Sequence, residues 1–244
     1  MPHLILSDIH ANMEALEAVL ADARGQYDRI YCLGDLVGYG ADPNAAVAWV
    51  RTSVAAVIRG NHDKVCTGTD SLDGYNPAAQ ASTVWTRRAL TRESRDYLDR
   101  LPRGPLRQQT GRHSFDLVHG SPEDEDEYLI AGEDVRRAIP FMDAPLYFFG
   151  HTHVQGGFLI ARNNVRGIHT GKPLRIEDGY SYLVNPGSVG QPRDGDPRAA
   201  YVLYSPGDRT VEYRRVGYDI DSAARKIGAA GLPASLALRL FEGM

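Results

Sequence analysis

Side chains able to ligate a metal or move a proton fall in five short stretches of this chain. They are Asp8-Ile9-His10, Gly34-Asp35-Leu36-Val37-Gly38, Gly60-Asn61-His62-Asp63, His119-Gly120 and Gly150-His151-Thr152-His153. Each stretch follows an apolar run that reads as a buried strand, at residues 4–6, 30–33, 55–58, 115–118 and 146–149. In α/β sheets ligands gather outside the carboxyl ends of the strands, so five such ends predict one shared site. Asp8, His10, Asp35, Asn61, His119, His151 and His153 offer carboxylate, amide and imidazole donors and no thiolate. That is more than one tetrahedral ion takes, but it suits two ions sharing a carboxylate. Mixed oxygen and nitrogen ligation fits manganese, iron or zinc better than magnesium or calcium. Two such ions roughly 3.5–4 Å apart clamp an in-line displacement at phosphorus. Any one of these histidines alone reads better as structural; the joint pattern reverses that. His3, His113 and His169 belong to no motif and read as structural.

At these residues the chain resembles the calcineurin-like metallophosphoesterases, whose motifs run Asp-x-His, Gly-Asp-x-x-Gly, Gly-Asn-His-Asp, His-Gly and Gly-His-x-His in that order. Asn185-Pro186-Gly187-Ser188-Val189-Gly190 and the tail Gly231-Leu232-Pro233-Ala234-Ser235-Leu236-Ala237 are similar to the compact bacterial phosphodiesterase branch. The resemblance implies an α/β fold, a four-layer α/β/β/α sandwich with two mixed β-sheets. It implies Asp8, His10 and His153 on one ion, Asn61, His119 and His151 on the other, and Asp35 bridging both. A hydroxide held between the two cations would attack phosphorus without a covalent phosphoenzyme. His62 would face the substrate, stabilise phosphoryl charge and protonate the leaving oxygen, with Asp63 holding its imidazole. Manganese is the expected metal, with iron, zinc or nickel as alternatives. The expected function is hydrolysis of small phosphodiesters or nucleotides, a diester in preference to a monoester. A metal-binding protein-interaction scaffold with little turnover is the alternative; retention of His62 argues against it.

These residues need a scaffold, and the intervening sequence supplies one. Residues 12–23 carry apolar positions at helical spacing behind Asn12, a good N-cap. Pro43 suits the first position of a second helix. Strand, helix and strand then make a βαβ unit. Glycines 34, 38 and 40 raise a dinucleotide loop, but no Gly-x-Gly-x-x-Gly lies between strand and helix. Residues 64–112 form an insert: a loop to about residue 76, helices over 77–90 and 92–101, and a hairpin across Gly111. Short strands are expected at 157–161, 174–177, 180–184, 200–204 and 211–216, and helices at 222–227 and 234–240. The whole of 1–244 reads as one domain.

Composition narrows the partners. Lys and Arg total 27 against 31 Asp and Glu, a formal net charge of -4. No global basic field therefore attracts nucleic acid, and long nucleic acid is not expected as substrate. The run Glu123-Asp124-Glu125-Asp126-Glu127, close behind His119, would repel a long polyanion if it bordered the site; a solvated loop is the plainer reading. Arg87, Arg88, Arg92, Arg95, Arg100 and Arg103 would make the insert a substrate-facing cap, or only a solvated helix face. Asn12, Tyr39 and Arg193 are candidate substrate contacts, each beside a structural alternative of helix cap, packing and exposed loop. The two cysteines, Cys32 and Cys66, exclude a disulfide framework and fit a reducing compartment. With the first strand beginning by Leu4 and no run near the ~20 apolar residues that span a bilayer, a cytoplasmic protein is expected, with no membrane partner.

Overall fold

The computed structural model describes residues 1–162 and 164–244. Strands β1 (His3–Leu6), β2 (Arg29–Cys32) and β3 (Ala56–Val57) lie parallel, because helices α1 (Met13–Asp22) and α2 (Pro43–Ser53) return the chain between them. The Asn12 side chain starts α1 by accepting from the Ala15 amide at 3.1 Å. Pro43 starts α2, where its missing N–H costs nothing. On the far side of β1, β11 (Ala199–Ser205) and β12 (Thr210–Val216) add antiparallel, and β9 (Leu174–Arg175) closes the sheet. Its order is β3-β2-β1-β11-β12-β9.

The second sheet has the order β4-β5-β6-β10-β7-β8. Its members are β4 (Leu106–Thr110), β5 (His113–Leu117), β6 (Leu146–Phe148), β7 (Gly156–Ala161), β8 (Asn164–Gly167) and β10 (Ser181–Asn185). Here β5, β6 and β10 run parallel, so each sheet contributes three parallel strands. Aromatic side chains fill the space between the sheets. The Phe115 ring lies edge-on to Tyr31, Phe148 and Tyr204 at centroid distances of 5.2, 5.4 and 5.5 Å, the geometry aromatic quadrupoles prefer. The outer face of the first sheet is covered by α1, α2 and α5 (Arg92–Asp99) through Leu16, Val19, Val50 and Leu98. Helix α6 (Gly132–Ala138) covers the second through Val135 and Ala138. The expected four-layer α/β/β/α sandwich results.

Three local expectations change. The Gly-Asn-His-Asp stretch and residue 64 onward form α3 (Asn61–Thr67) rather than a turn and loop. The strand expected at 55–58 keeps only the two residues of β3, and β8 was not anticipated. Past α3 the insert holds α4 (Pro77–Ala89), α5 and the β4–β5 hairpin, and the chain closes with α7 (Ile220–Ala229) and α8 (Ala234–Glu242). Among the described residues no helix is long and apolar enough to cross a membrane.

Phe115 touches both sheets from a fully buried position, so Phe115→Ala should destabilise the protein by about 3–5 kcal/mol. Urea unfolding checks this. A loss under about 1 kcal/mol would mean that the intersheet core is not the main cohesive layer.

Candidate metal centre

All five stretches lie at carboxyl ends of the parallel strands, three from the first sheet and two from the second. Asp8 and His10 follow β1, Asp35 follows β2, and Asn61 opens α3 after β3. His119 follows β5, and His151 and His153 follow β6. The backbone there is unusual. Asp8, His10, Asp35, His151 and His153 have φ of 53°, 48°, 52°, 65° and 59°, a left-handed conformation costing non-glycine residues on the order of 1–3 kcal/mol each. Backbone hydrogen bonds between the loops hold it: Asp8 N–H to Gly34 O at 3.1 Å, His10 N–H to Asp35 O at 2.9 Å, and Gly190 N–H to Asp8 O at 2.9 Å. Strain gathered at one set of polar residues marks a functional centre. Close approach adds its own demand: a Cβ on Gly60 would sit 2.1 Å from Asp35 Oδ1.

The side chains form two groups that share Asp35. Asp8, His10, Asp35 and His153 place ligand atoms within 4.8 Å of one another, and so do Asp35, His119 and His151. Asn61 joins the second, its Oδ1 lying 3.1 Å from His119 Nε2. His10, His119 and His153 each donate Nδ1–H to a backbone carbonyl, those of Val37, Leu33 and Gln191, at 3.0, 2.7 and 2.6 Å. That fixes the tautomer and turns Nε2 inward. His151 is fixed the other way: its Nε2 meets Asp126 O at 3.1 Å, which leaves Nδ1 to ligate. Asp35 Oδ1 accepts the His62 N–H at 2.8 Å. Its Oδ2 lies 3.6 Å from His10 Nε2 and 3.5 Å from His119 Nε2. Oδ2 is thus the Asp35 oxygen that both groups approach.

Electrostatics show what the centre lacks. Asp8 Oδ2 and Asp35 Oδ2 are buried without a hydrogen-bond partner, and such atoms are costly unless a ligand meets them. The Nε2 atoms of His10 and His153 face each other at 3.1 Å with their protons held elsewhere. Burial drives both imidazoles well below the usual histidine range, and lowers His151 to about 3. Burial, only partly offset by His119, pushes Asp8 up to about 7. Burial also opposes a charge on His119, but Asp35 outweighs it and lifts His119 to about 10. A cation in that place would displace this proton. Neutral imidazoles, an amide oxygen and unpartnered carboxylate oxygens converging on one spot fit divalent metal binding.

Not every candidate meets the others. Asp63 does not touch His62. Its oxygens accept Leu36, Val37 and Gly60 N–H groups at 2.9, 3.3 and 2.9 Å, so it pins the Asp35 loop to the start of α3. Asn12 is likewise structural: besides capping α1, its amide donates to Gly190 O at 2.9 Å. Tyr39 and Arg193 do line the cleft over the centre, with Asn61, His62 and His151. The Tyr39 ring packs tilted against the His62 ring at a centroid distance of 4.4 Å, and the Arg193 guanidinium lies 5.5 Å from the Tyr39 ring. One member of the acidic run, Asp126, lines the cleft, and three of its acids are paired. Glu125 is buried against Arg59 at 2.7 Å, Asp126 pairs with Lys64, and Glu127 lies 3.6 Å from Arg137. None of the six arginines singled out in the insert lines the cleft; Arg87, for one, donates to Val65 O at 2.7 Å.

The profile of the calcineurin-like phosphoesterase superfamily domain matches residues 1–208. The chain belongs to this superfamily. It is also 38% identical over 244 residues to an uncharacterized protein of Methanocaldococcus jannaschii, covering 98% of this chain and 97% of that one. A metallophosphoesterase from Sphaerobacter thermophilus superposes with a TM-score of 0.85 at 41% identity, covering 100% of this chain and 99% of that chain. A hypothetical protein from Pyrococcus horikoshii shares the fold, with a TM-score of 0.80 at 20% identity over 100% and 98% of the two chains. The family and the centre together make the chain a metal-dependent phosphoesterase, a hydrolase of phosphoric ester bonds.

One residue of this phosphoesterase's centre escaped the motifs. Tyr75, from the insert, accepts from Asn61 Nδ2 at 2.7 Å and so turns Oδ1 toward the centre. An aromatic in a polar loop gives no periodic signal that would have picked it out. Without that hydroxyl the Asn61 amide loses the partner of its Nδ2. Tyr75→Phe should weaken metal binding about 10–100-fold, the usual effect of losing a group that orients a ligand. Calorimetric titration with Mn checks this; wild-type affinity in the variant would show that Asn61 is oriented by other means or does not ligate.

Proposed function

We propose that this phosphoesterase hydrolyses small phosphodiesters with two divalent ions, manganese first among them. Asp8, His10 and His153 would hold one ion, Asn61, His119 and His151 the other, and Asp35 Oδ2 would be shared. The observation that carries this reading is the pair of inward-facing ligand groups meeting at one carboxylate. When bound, such ions supply Lewis acidity and an activated water at neutral pH.

The chain's own residues do the rest. His62 lies between Tyr39 and Tyr75, with ring centroids 4.4 and 5.5 Å away, so its imidazole is held in place without a carboxylate partner. Burial lowers it to about 4, and it rests neutral. Neutral imidazole donates a hydrogen bond to a phosphoryl oxygen, and arriving negative charge raises its pKa toward that of a proton donor. His62 would then take up a proton as the anionic substrate binds and pass it to the leaving oxygen. Arg193, in the same cleft, offers a guanidinium to an anionic part of the substrate. A cleft of about 390 Å³ has room for substituents on both ester oxygens, which favours a diester. The free, buried cysteines Cys32 and Cys66 suit a reducing cytoplasm.

With Mn supplied, bis-p-nitrophenyl phosphate should be cleaved with higher kcat/KM than p-nitrophenyl phosphate. His62→Ala should lower kcat roughly 10²–10⁴-fold, the size of a lost general acid, and keep its bound metal. A monoester preference would overturn the diester assignment. An undiminished kcat in the variant would remove His62 from the chemistry.

A further inference from the structure

The cleft beside the centre presents two guanidiniums alongside three carboxylates. Arg193 and Arg239 both line it, together with Tyr39, Tyr75 and Tyr128. Arg239 comes from α8, beyond the residues 1–208 that the family profile covers. Leu236 and Leu240 are buried in the cluster that contains Tyr39, and so anchor α8 beside the site. The end of α8 is tied to the loop that carries Arg193, since Gly195 N–H donates to Gly243 O at 2.9 Å.

Neither guanidinium has an acidic partner. Among the described residues no carboxylate lies within ion-pair distance of either one. Arg193 spends one Nη2 hydrogen on Gln191 Oε1 at 3.0 Å, and its Nε is buried without a partner. The acids lining the same cleft are engaged elsewhere: Asp70 and Asp126 share the Lys64 ammonium, and Asp73 accepts from the Ser71 hydroxyl. Both guanidiniums line the one cleft, and burial followed by the Arg193 charge pulls Arg239 below the usual arginine range. Two partly desolvated guanidiniums in one cleft are unfavourable until an anion joins them. Their planar donor forks fit phosphate oxygens bidentately, and two positive charges match a phosphoryl dianion better than a carboxylate.

We propose that Arg193 and Arg239 form an anion subsite beside the metal centre that takes a second phosphoryl group of the substrate. The substrate class is then a small phosphoester with a further phosphate besides the one hydrolysed, such as a nucleoside bisphosphate ester. This rests on reading the centre as the site of phosphoester hydrolysis, and it assigns Arg239 a specificity role that the ligand motifs do not contain.

Binding and turnover separate the two readings. Thymidine 3′,5′-bisphosphate and thymidine 5′-monophosphate are titrated calorimetrically into the Mn-loaded protein. The bisphosphate should bind about 10–100-fold tighter, the worth of hydrogen bonds to a charged group. Arg239→Gln should remove most of that ratio, and Arg239→Lys should restore part of it. Metal content and melting temperature, followed in parallel, separate a lost contact from a damaged fold. Equal affinity for the two ligands in the wild type overturns the subsite, as does a ratio that survives in both Arg239→Gln and Arg193→Gln. Hydrolysis of the p-nitrophenyl 5′-esters of the same nucleotides is scored apart. Binding preference without turnover supports the subsite and overturns the hydrolytic reading; turnover without preference overturns the subsite alone.

Discussion

Two carboxylates and four imidazoles are buried together here with fewer protons than their nitrogen and oxygen lone pairs need. His10, His119 and His153 donate their Nδ1–H groups to backbone carbonyls, so their Nε2 atoms are the ones left to meet a cation or, at His119, the proton a cation would displace. The surrounding structure serves that constraint. An isolated buried carboxylate is expensive, yet Asp8 and Asp35 are each left with one unpartnered oxygen. A fold that places them so has its stability tied to what it binds.

That requirement explains the architecture around the centre. The ligands come from both sheets, and the packed aromatic layer of Tyr31, Phe115, Phe148 and Tyr204 fixes the sheets against each other. The loop after β10 then stitches the two halves. Val189 N–H donates to Ser7 O at 3.0 Å, and Gln191 O accepts from the His153 ring. Asn185 reaches Gly150 O at 3.0 Å. These bonds hold the left-handed residues of the ligand loops. A strained backbone of this kind survives only where its neighbours over-determine it, and five of the candidate ligands share that condition.

Much of this was legible in the sequence because local signals agreed with the global arrangement. Each ligand stretch follows an apolar run, and such runs end at the same edge of a parallel sheet. Where reading failed, the cause was direction or distance. Asp63 follows His62 in sequence, but both lie in the first turn of α3. There the third side chain folds back to the Gly60 amide, while His62 points between two tyrosines. Glu125 reads as one of five exposed acids, yet Arg59 and Lys64, more than sixty positions earlier in the chain, draw it into the interior. Tyr75 reaches the centre, and Arg239 the cleft beside it, only through tertiary folding, and no spacing announces them.

Anomalous scattering from crystals grown with manganese tests the central claim most directly. Two peaks roughly 3.5–4 Å apart should appear, with Asp35 Oδ2 between them, His10 and His153 on one side and His119 and Asn61 on the other. A single peak at full occupancy under excess metal, or peaks away from Asp35, would contradict a shared two-ion centre.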